Sequence, residues 1–230
     1  MFRLYHHPVS TPSRYIRLIM GEYGLSCEFI EEKPWVRREE FLKLNPAGTL
    51  PVMLSEEGDS IVGGGVIGEF LDETIGSLQR ENRLMPENSQ KRAEVRRLVD
   101  WFLNKTEQEV HRYLVVERVY KHMMTKEEGG GSPDAAIIRA GRANLKHHLQ
   151  YVGWLAASRN WIAGTRFSCA DLAAAASLSV LDYLGEIPWD SEPAAKDWYA
   201  RVKSRPSFRP LLSDKVIGLP PVSHYIDLDF

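Results

Sequence analysis

Apolar positions recur with two different periods along this chain, and the change of period divides it. Up to about residue 78 the apolar runs are short and broken by Pro and Gly. Phe2 to Tyr5 reads as a strand, and His6 to Ser13, with Pro8 and Pro12, as a loop. Tyr15, Ile16, Ile19, Met20 and Tyr23 then fall on one helical face that Gly24 ends. Cys27 to Ile30 reads as a second strand, and Phe41, Leu42 and Leu44 mark a short helix. Val52 to Leu54 and Ile61-Val62 are two more strands around a turn at Gly58, and Val66 to Ile75 returns to helical spacing. Beyond residue 90 the period is helical throughout. Leu98, Trp101, Phe102, Lys105, Glu109 and Tyr113 predict one long helix from about Ser89 to Met124. Gly129 to Pro133 breaks the pattern, and a second long helix is expected from about Asp134 to Ser158. Ser168 and Asp171 open a third as a capping-box pair, and Trp198, Val202, Phe208 and Leu211 belong to the last helices.

The order β-α-β-α-β-β-α followed by helices alone predicts an α/β plus all-α protein. A thioredoxin-like domain is expected over 1–78, a polar linker with Pro86 over 79–90, and a helical-bundle domain over 91–213. Residues 214–230 stand apart. Pro220 and Pro221 stop any helix, and the sequence from Tyr225 to Phe230 alternates apolar and acidic residues with period two. That pattern suits an extended tail docked along one face, with Asp227, Leu228 and Phe230 as its contact residues.

Composition narrows the function classes. A 43% hydrophobic and 26% charged chain is an ordinary globular one, and a net charge of -2 argues against a nucleic-acid or anionic-membrane surface. The longest small-apolar run, Leu172 to Leu181, is far short of the ~20 residues a membrane span needs. Met1 leads straight into a strand, so no secretory leader is expected, and Cys27 and Cys169 read as reduced thiols of a cytoplasmic protein. The histidines occur as adjacent pairs, His6-His7 and His147-His148, or about three turns apart on a helix, as His111 and His122. None of these spacings matches a metal site, so no metal is expected.

The informative stretch is Asn45 to Phe70. Leu50-Pro51 precedes a strand, where a proline fits as first residue or in a cis turn. Gly63, Gly64 and Gly65 then stand where a helix N-terminus would hold an anion. Asn45, Pro46, Gly48, Leu50 and Pro51, followed by Val66, Ile67, Phe70 and Leu71, resemble the glutathione-binding half of the glutathione S-transferase superfamily. Ser10-x-Pro12-Ser13-Arg14 resembles its serine-type N-terminal motif, Ser168-x-x-Asp171 its helix box, and Trp198 to Phe208 its last helices. The resemblance spans roughly residues 1 to 213.

The resemblance implies the superfamily fold, a homodimer, and a glutathione pocket at Ser10, Leu50, Pro51, Gly63 and Gly64. In serine-type transferases the hydroxyl at the position of Ser10 stabilises the glutathione thiolate; a helix N-cap is its ordinary alternative. The family's Glu/Gln-Ser pair, which grips the γ-glutamyl end, is replaced here by Gly63-Gly64. Hydrogen bonds to a charged group are worth about 1.5–3 kcal/mol each, so losing two costs about 2–4 decades in affinity. The pocket therefore reads as degenerate, with Ser10 a vestigial catalytic candidate and no cofactor expected.

Over its whole length, tail included, the chain resembles a transferase-like branch of bacterial cell-division proteins. That resemblance implies binding to polymers of FtsZ, the bacterial tubulin homologue, and organisation of those filaments during constriction at the division site. A second division partner through the tail and no nucleic acid or membrane insertion complete the expectation. The alternative is a glutathione transferase acting on small electrophiles. Trp35, between Pro34 and the basic Arg37-Arg38, has the composition of a binding hot spot, or of a Trp folded onto its own domain. Glu117, Arg118, Tyr120 and Lys121 would line the same interdomain cleft or form a solvated charged face. Trp35, Arg38, Glu117 and Tyr120 are the expected partner residues of the cleft.

Overall fold

The computed structural model describes residues 1–228. Strand β1, Phe2–His6, lies at the centre of a four-stranded sheet of order β2-β1-β3-β4. It runs parallel to β2, Cys27–Glu31, and antiparallel to β3, Val52–Leu54, which pairs with β4, Ser60–Val62. A parallel pair needs a crossover, and helix α1, Thr11–Glu22, supplies it. Ser10 caps α1: its side chain accepts the Ser13 N–H at 3.4 Å, and Pro12 sits in the first turn, where its missing N–H costs nothing. The short helix α2, Glu39–Leu44, leads to the Asn45 turn. Asn45 is buried and its amide bonds the Thr49 carbonyl at 2.8 Å, which aims the chain into the cis Leu50-Pro51 bond. Helix α3, Gly64–Thr74, closes this half of the molecule.

The helical half opens with α4, which spans residues 89–123. It is continuous, but Trp101–Lys105, Glu107–His111 and Val116–Tyr120 are π-helical turns, which the apolar spacing had not predicted. Such turns carry an extra residue per turn and cluster at functional sites. Asp134 caps α5, Ala135–Ser158, accepting two backbone N–H groups. The predicted capping box is present: Ser168 and Asp171 bond reciprocally at the start of α6, Cys169–Tyr183. Every residue of α6 is buried, so this helix is the axis of the molecule and has no polar face. Helix α1 packs against it, which joins the two halves through one apolar core. Helix α7, Pro193–Lys203, and the single turn α8, Arg209–Leu212, cover its far side.

The residues after α8 depart from the expected extended tail. Residues 214–226 fold back onto the core, and Ser223–Ile226 form a single 3₁₀ turn. Tyr225 is 0% exposed and packs with Val9, Val180 and Tyr183. Its hydroxyl takes a hydrogen bond from Arg14 at 2.9 Å and gives one to the Leu211 carbonyl at 3.1 Å. Arg14, the last residue of the serine-type motif, is itself 0% exposed and also bonds Ser179. The period-two pattern failed because the chain turns as a 3₁₀ helix here: Tyr225 is buried, while Ile226, Asp227 and Leu228 are all exposed. Asp227 and Leu228 remain exposed, and Phe230 lies outside the described residues.

Candidate functional site

A cavity of about 660 Å³ lies between the two halves. Ser10, Leu50, Gly63, Gly64 and Tyr120 line it, so five of the residues named from sequence converge on one site. Pro51 is buried behind the rim and accepts the Gly63 N–H at 3.0 Å, holding the start of α3 against the cis turn. The first N–H groups of an α-helix have no partner inside the helix, so the cavity receives the positive end of α3. Ser10 Oγ accepts a hydrogen bond from Ser13 Oγ at 3.0 Å.

The glycines are built into the backbone. Gly63 has φ +92° and ψ 139°, a conformation that residues with a side chain rarely adopt. A Cβ on Gly64 would stand 3.0 Å from the Cβ of Pro12, and one on Gly68 would stand 2.9 Å from the Tyr15 hydroxyl. A side chain at Gly63 would be strained by the backbone and one at Gly64 would crowd Pro12, the two positions of the Glu/Gln-Ser pair that the chain lacks. Cys169 also lines the cavity, and burial pushes its thiol up to about 12, which disfavours the thiolate form.

Trp35 is half-buried and reaches the site through Tyr120. Their ring centroids lie 4.9 Å apart, and the edge of His7 meets both, 5.6 Å from Trp35 and 5.4 Å from Tyr120. The aromatic cluster is continuous with the cavity because Pro34 and Tyr120 line it. His7 is buried; its desolvation, helped by the charge of Lys33, lowers its pKa to about 4, and His6 shows the same shift. Burial also raises the Tyr120 phenol.

The expected partner residue Glu117 and its neighbour Arg118 are engaged elsewhere. Glu117 is buried, not on a solvated face: its Oε2 accepts from Lys121 at 2.6 Å and from the Asp134 N–H at 2.7 Å, pinning α4 to the start of α5. Arg118 is tied to Glu186 and to the Leu184 carbonyl. The solvated face offered as the alternative assumes 3.6 residues per turn, and the π turns shift it. Arg38 is exposed, with its guanidinium on buried Glu32. Asp227 and Leu228 are exposed at the end of the chain and do not line the cavity.

Sequence reasoning missed the helical wall of the cavity. Val99, Asp100, Leu103, Asn104 and Glu107 line it as one stripe of α4, and Glu69 faces it from α3. Their spacing of three and four residues was the available signal. Arg96 gives Glu69 two hydrogen bonds of 2.7 Å at the mouth. Among the described residues no group of three or more His, Cys, Asp or Glu is placed to hold a metal ion, and no helix is long and apolar enough to cross a membrane.

A mixed sheet with a cis-proline turn at the cleft, backed by a helical bundle around a fully buried axis, defines the architecture of a transferase. The chain belongs to the glutathione S-transferase superfamily: residues 4–79 match its N-terminal domain and residues 133–206 its C-terminal domain. It is 41% identical to the FtsZ-localized protein A of Caulobacter vibrioides, over 99% of this chain and 97% of that one. The structure of FzlA from C. crescentus superposes with a TM-score of 0.92 at 41% identity, covering 100% of this chain and 99% of the other. The structure of a glutathione S-transferase from Sinorhizobium meliloti superposes with a TM-score of 0.99 at 56% identity over the whole of both chains.

Proposed function

We propose that this protein is a non-catalytic member of the superfamily that binds FtsZ filaments, organises them and promotes constriction in bacterial cell division. It acts as a homodimer in the cytoplasm at the division site. The observation that carries this reading is the likeness to FtsZ-localized protein A over nearly the whole of both chains, including the folded-back C-terminal segment. The glycine path at Gly63-Gly64 supports it, because a glutathione would find no side chain there to grip its charged amino acid end. The partner surface is the Trp35–Tyr120 cluster at the cleft, and the exposed Asp227-Leu228 end offers a second, separate contact.

A second reading has its own support. Ser10 keeps the serine position at the mouth of a cavity large enough for glutathione, and a whole-chain relative of 56% identity carries the transferase name. Calorimetric titration with reduced glutathione up to several millimolar separates the two. A filament-binding protein with a degenerate pocket gives no saturable heat. Tight binding would put Ser10 at the centre of an enzyme and displace the first reading.

A further inference from the structure

The loop that carries Trp35 is tied together at its neck. Glu32 follows β2 and continues its pairing, giving its N–H to the His6 carbonyl at 2.8 Å. Arg38 precedes α2, and its carbonyl takes the Leu42 N–H at 3.0 Å as the helix begins. The two side chains meet across the neck. Arg38 Nε donates to Glu32 Oε2 at 3.2 Å, and Nη2 donates to the same oxygen at 2.5 Å. The Lys33 N–H donates to Glu32 Oε1 at 3.2 Å. Glu32 is 2% exposed, whereas Arg38 lies on the outside with 45% of its side chain exposed. The remaining terminal nitrogen of Arg38 is 3.7 Å from exposed Glu40, so carboxylates of its own chain bracket the guanidinium.

Between Glu32 and Arg38 the backbone is forced round. The Val36 N–H donates to the Lys33 carbonyl at 3.0 Å. Arg37 has φ +53°, in the left-handed region that a residue with a side chain seldom adopts. Such a conformation persists where its surroundings over-determine it, and it clusters at binding sites. Little of the loop fills a core, since Lys33, Val36, Arg37 and Arg38 are exposed. What the loop does place is Trp35, whose ring leans on His7 and Tyr120 at the cleft. Those ring contacts restrain the indole, and the ion pair and the turn restrain the backbone that carries it. A side chain ordered before binding loses less entropy when a partner arrives.

Resting on the reading of the Trp35–Tyr120 cluster as the partner surface, we infer that Glu32 and Arg38 are positioning residues for Trp35. Their ion pair closes the neck of the loop and holds the indole in its binding orientation. Arg38 acts through Glu32 and not by touching the partner, so its role differs from the contact expected from sequence.

The experiment labels the full chain with fluorotryptophan, which gives one fluorine resonance for each of the six Trp residues. Trp35→Phe assigns the Trp35 line. Wild type, Glu32→Gln, Arg38→Lys and the double variant are then compared by fluorine NMR and by co-sedimentation over a range of FtsZ polymer concentration. E32Q is nearly isosteric. R38K keeps the charge but loses the planar fork, and it changes an exposed site that folding tolerates. Each single variant is expected to shift or broaden the Trp35 line, to leave the other Trp lines in place, and to weaken polymer binding by about threefold to tenfold. In the E32Q background R38K is expected to add nothing further. A Trp35 line unchanged in R38K overturns the inference, and so does a line that moves without any loss of polymer binding. An equal loss from R38K in wild type and in E32Q makes Arg38 a direct contact and overturns its positioning role. If wild type itself fails to pellet, the partner reading falls, and the Trp35 line alone decides whether the ion pair holds the ring.

Discussion

Tyr225→Phe removes one oxygen from a residue that the sequence pattern assigned to an extended tail. The structure makes it a buried strut. The hydroxyl bonds the Arg14 guanidinium at 2.9 Å and the Leu211 carbonyl at 3.1 Å, and all three groups are shielded from water. Arg14 Nη1 donates to both Ser179 Oγ and the Tyr225 hydroxyl at 2.9 Å, so loss of the hydroxyl leaves one of its hydrogens without an acceptor in a site closed to water. A hydrogen bond to a charged group is worth about 1.5–3 kcal/mol and a neutral one about 0.5–1.5 kcal/mol. The substitution should therefore cost about 2–4 kcal/mol, or roughly 5–15 °C in melting temperature for a chain of this size. Tyr225→Ala adds the loss of a buried ring, about 3–5 kcal/mol more, which reaches the whole stability of an ordinary domain. Leu228→Ala should cost less than about 1 kcal/mol, since Leu228 is exposed. Urea unfolding followed by circular dichroism measures all three. A Tyr225→Phe midpoint within error of wild type would refute the strut, and a Leu228→Ala as costly as Tyr225→Ala would put the anchor beyond Tyr225.

Acid should loosen the core beneath the aromatic cluster. His6 and His7 are held neutral, with folded pKa values of about 4 against 6.5 in the free side chain. Between those values the unfolded chain binds more protons, so their contribution to stability is full above pH 6.5 and falls as pH drops toward 4, by up to about 1.4 kcal/mol per pH unit for each. His7→Phe keeps the ring contacts and should show a shallower loss from pH 6.5 to 4.5; parallel curves would remove His7 from the explanation. Trp35→Ala should weaken FtsZ co-sedimentation by about tenfold, the order of one hot-spot residue, while costing only a few degrees of melting temperature from its contacts with Tyr120 and His7. Unchanged pelleting would exclude Trp35 from the partner surface. A Gly63→Gln/Gly64→Ser variant, which reinstates the family's side chains, should lose about 2–4 kcal/mol to the φ +92° backbone and the Pro12 contact, and should not gain glutathione binding by calorimetry.

What the sequence made legible was local. Leu50-Pro51, the Ser168-Asp171 box and the helix start near Asp134 each report on a neighbour within a few residues, and each is present as expected. The convergence of Ser10, Leu50 and Gly63-Gly64 came from the pattern of a known fold rather than from periodicity. Burial of charged groups was not legible. Arg14 is buried because Tyr225 and Asp214, some two hundred residues later, enclose it, and Glu117 is buried because π turns rotate it toward Asp134. Neither partner lies within reach of a pattern read along the chain. The acidic stripe from Asp100 to Glu107 was visible as spacing, but nothing in the spacing told it from a solvated helix face.

Co-sedimentation of the purified protein with FtsZ polymerised in GTP bears most directly on the function. A filament-binding protein pellets with the polymer, saturates with increasing polymer, and stays in the supernatant when GDP prevents assembly. A protein that stays in the supernatant under both conditions, and turns over a chloronitrobenzene with glutathione, would contradict the partner reading and belong with the catalysts of its superfamily.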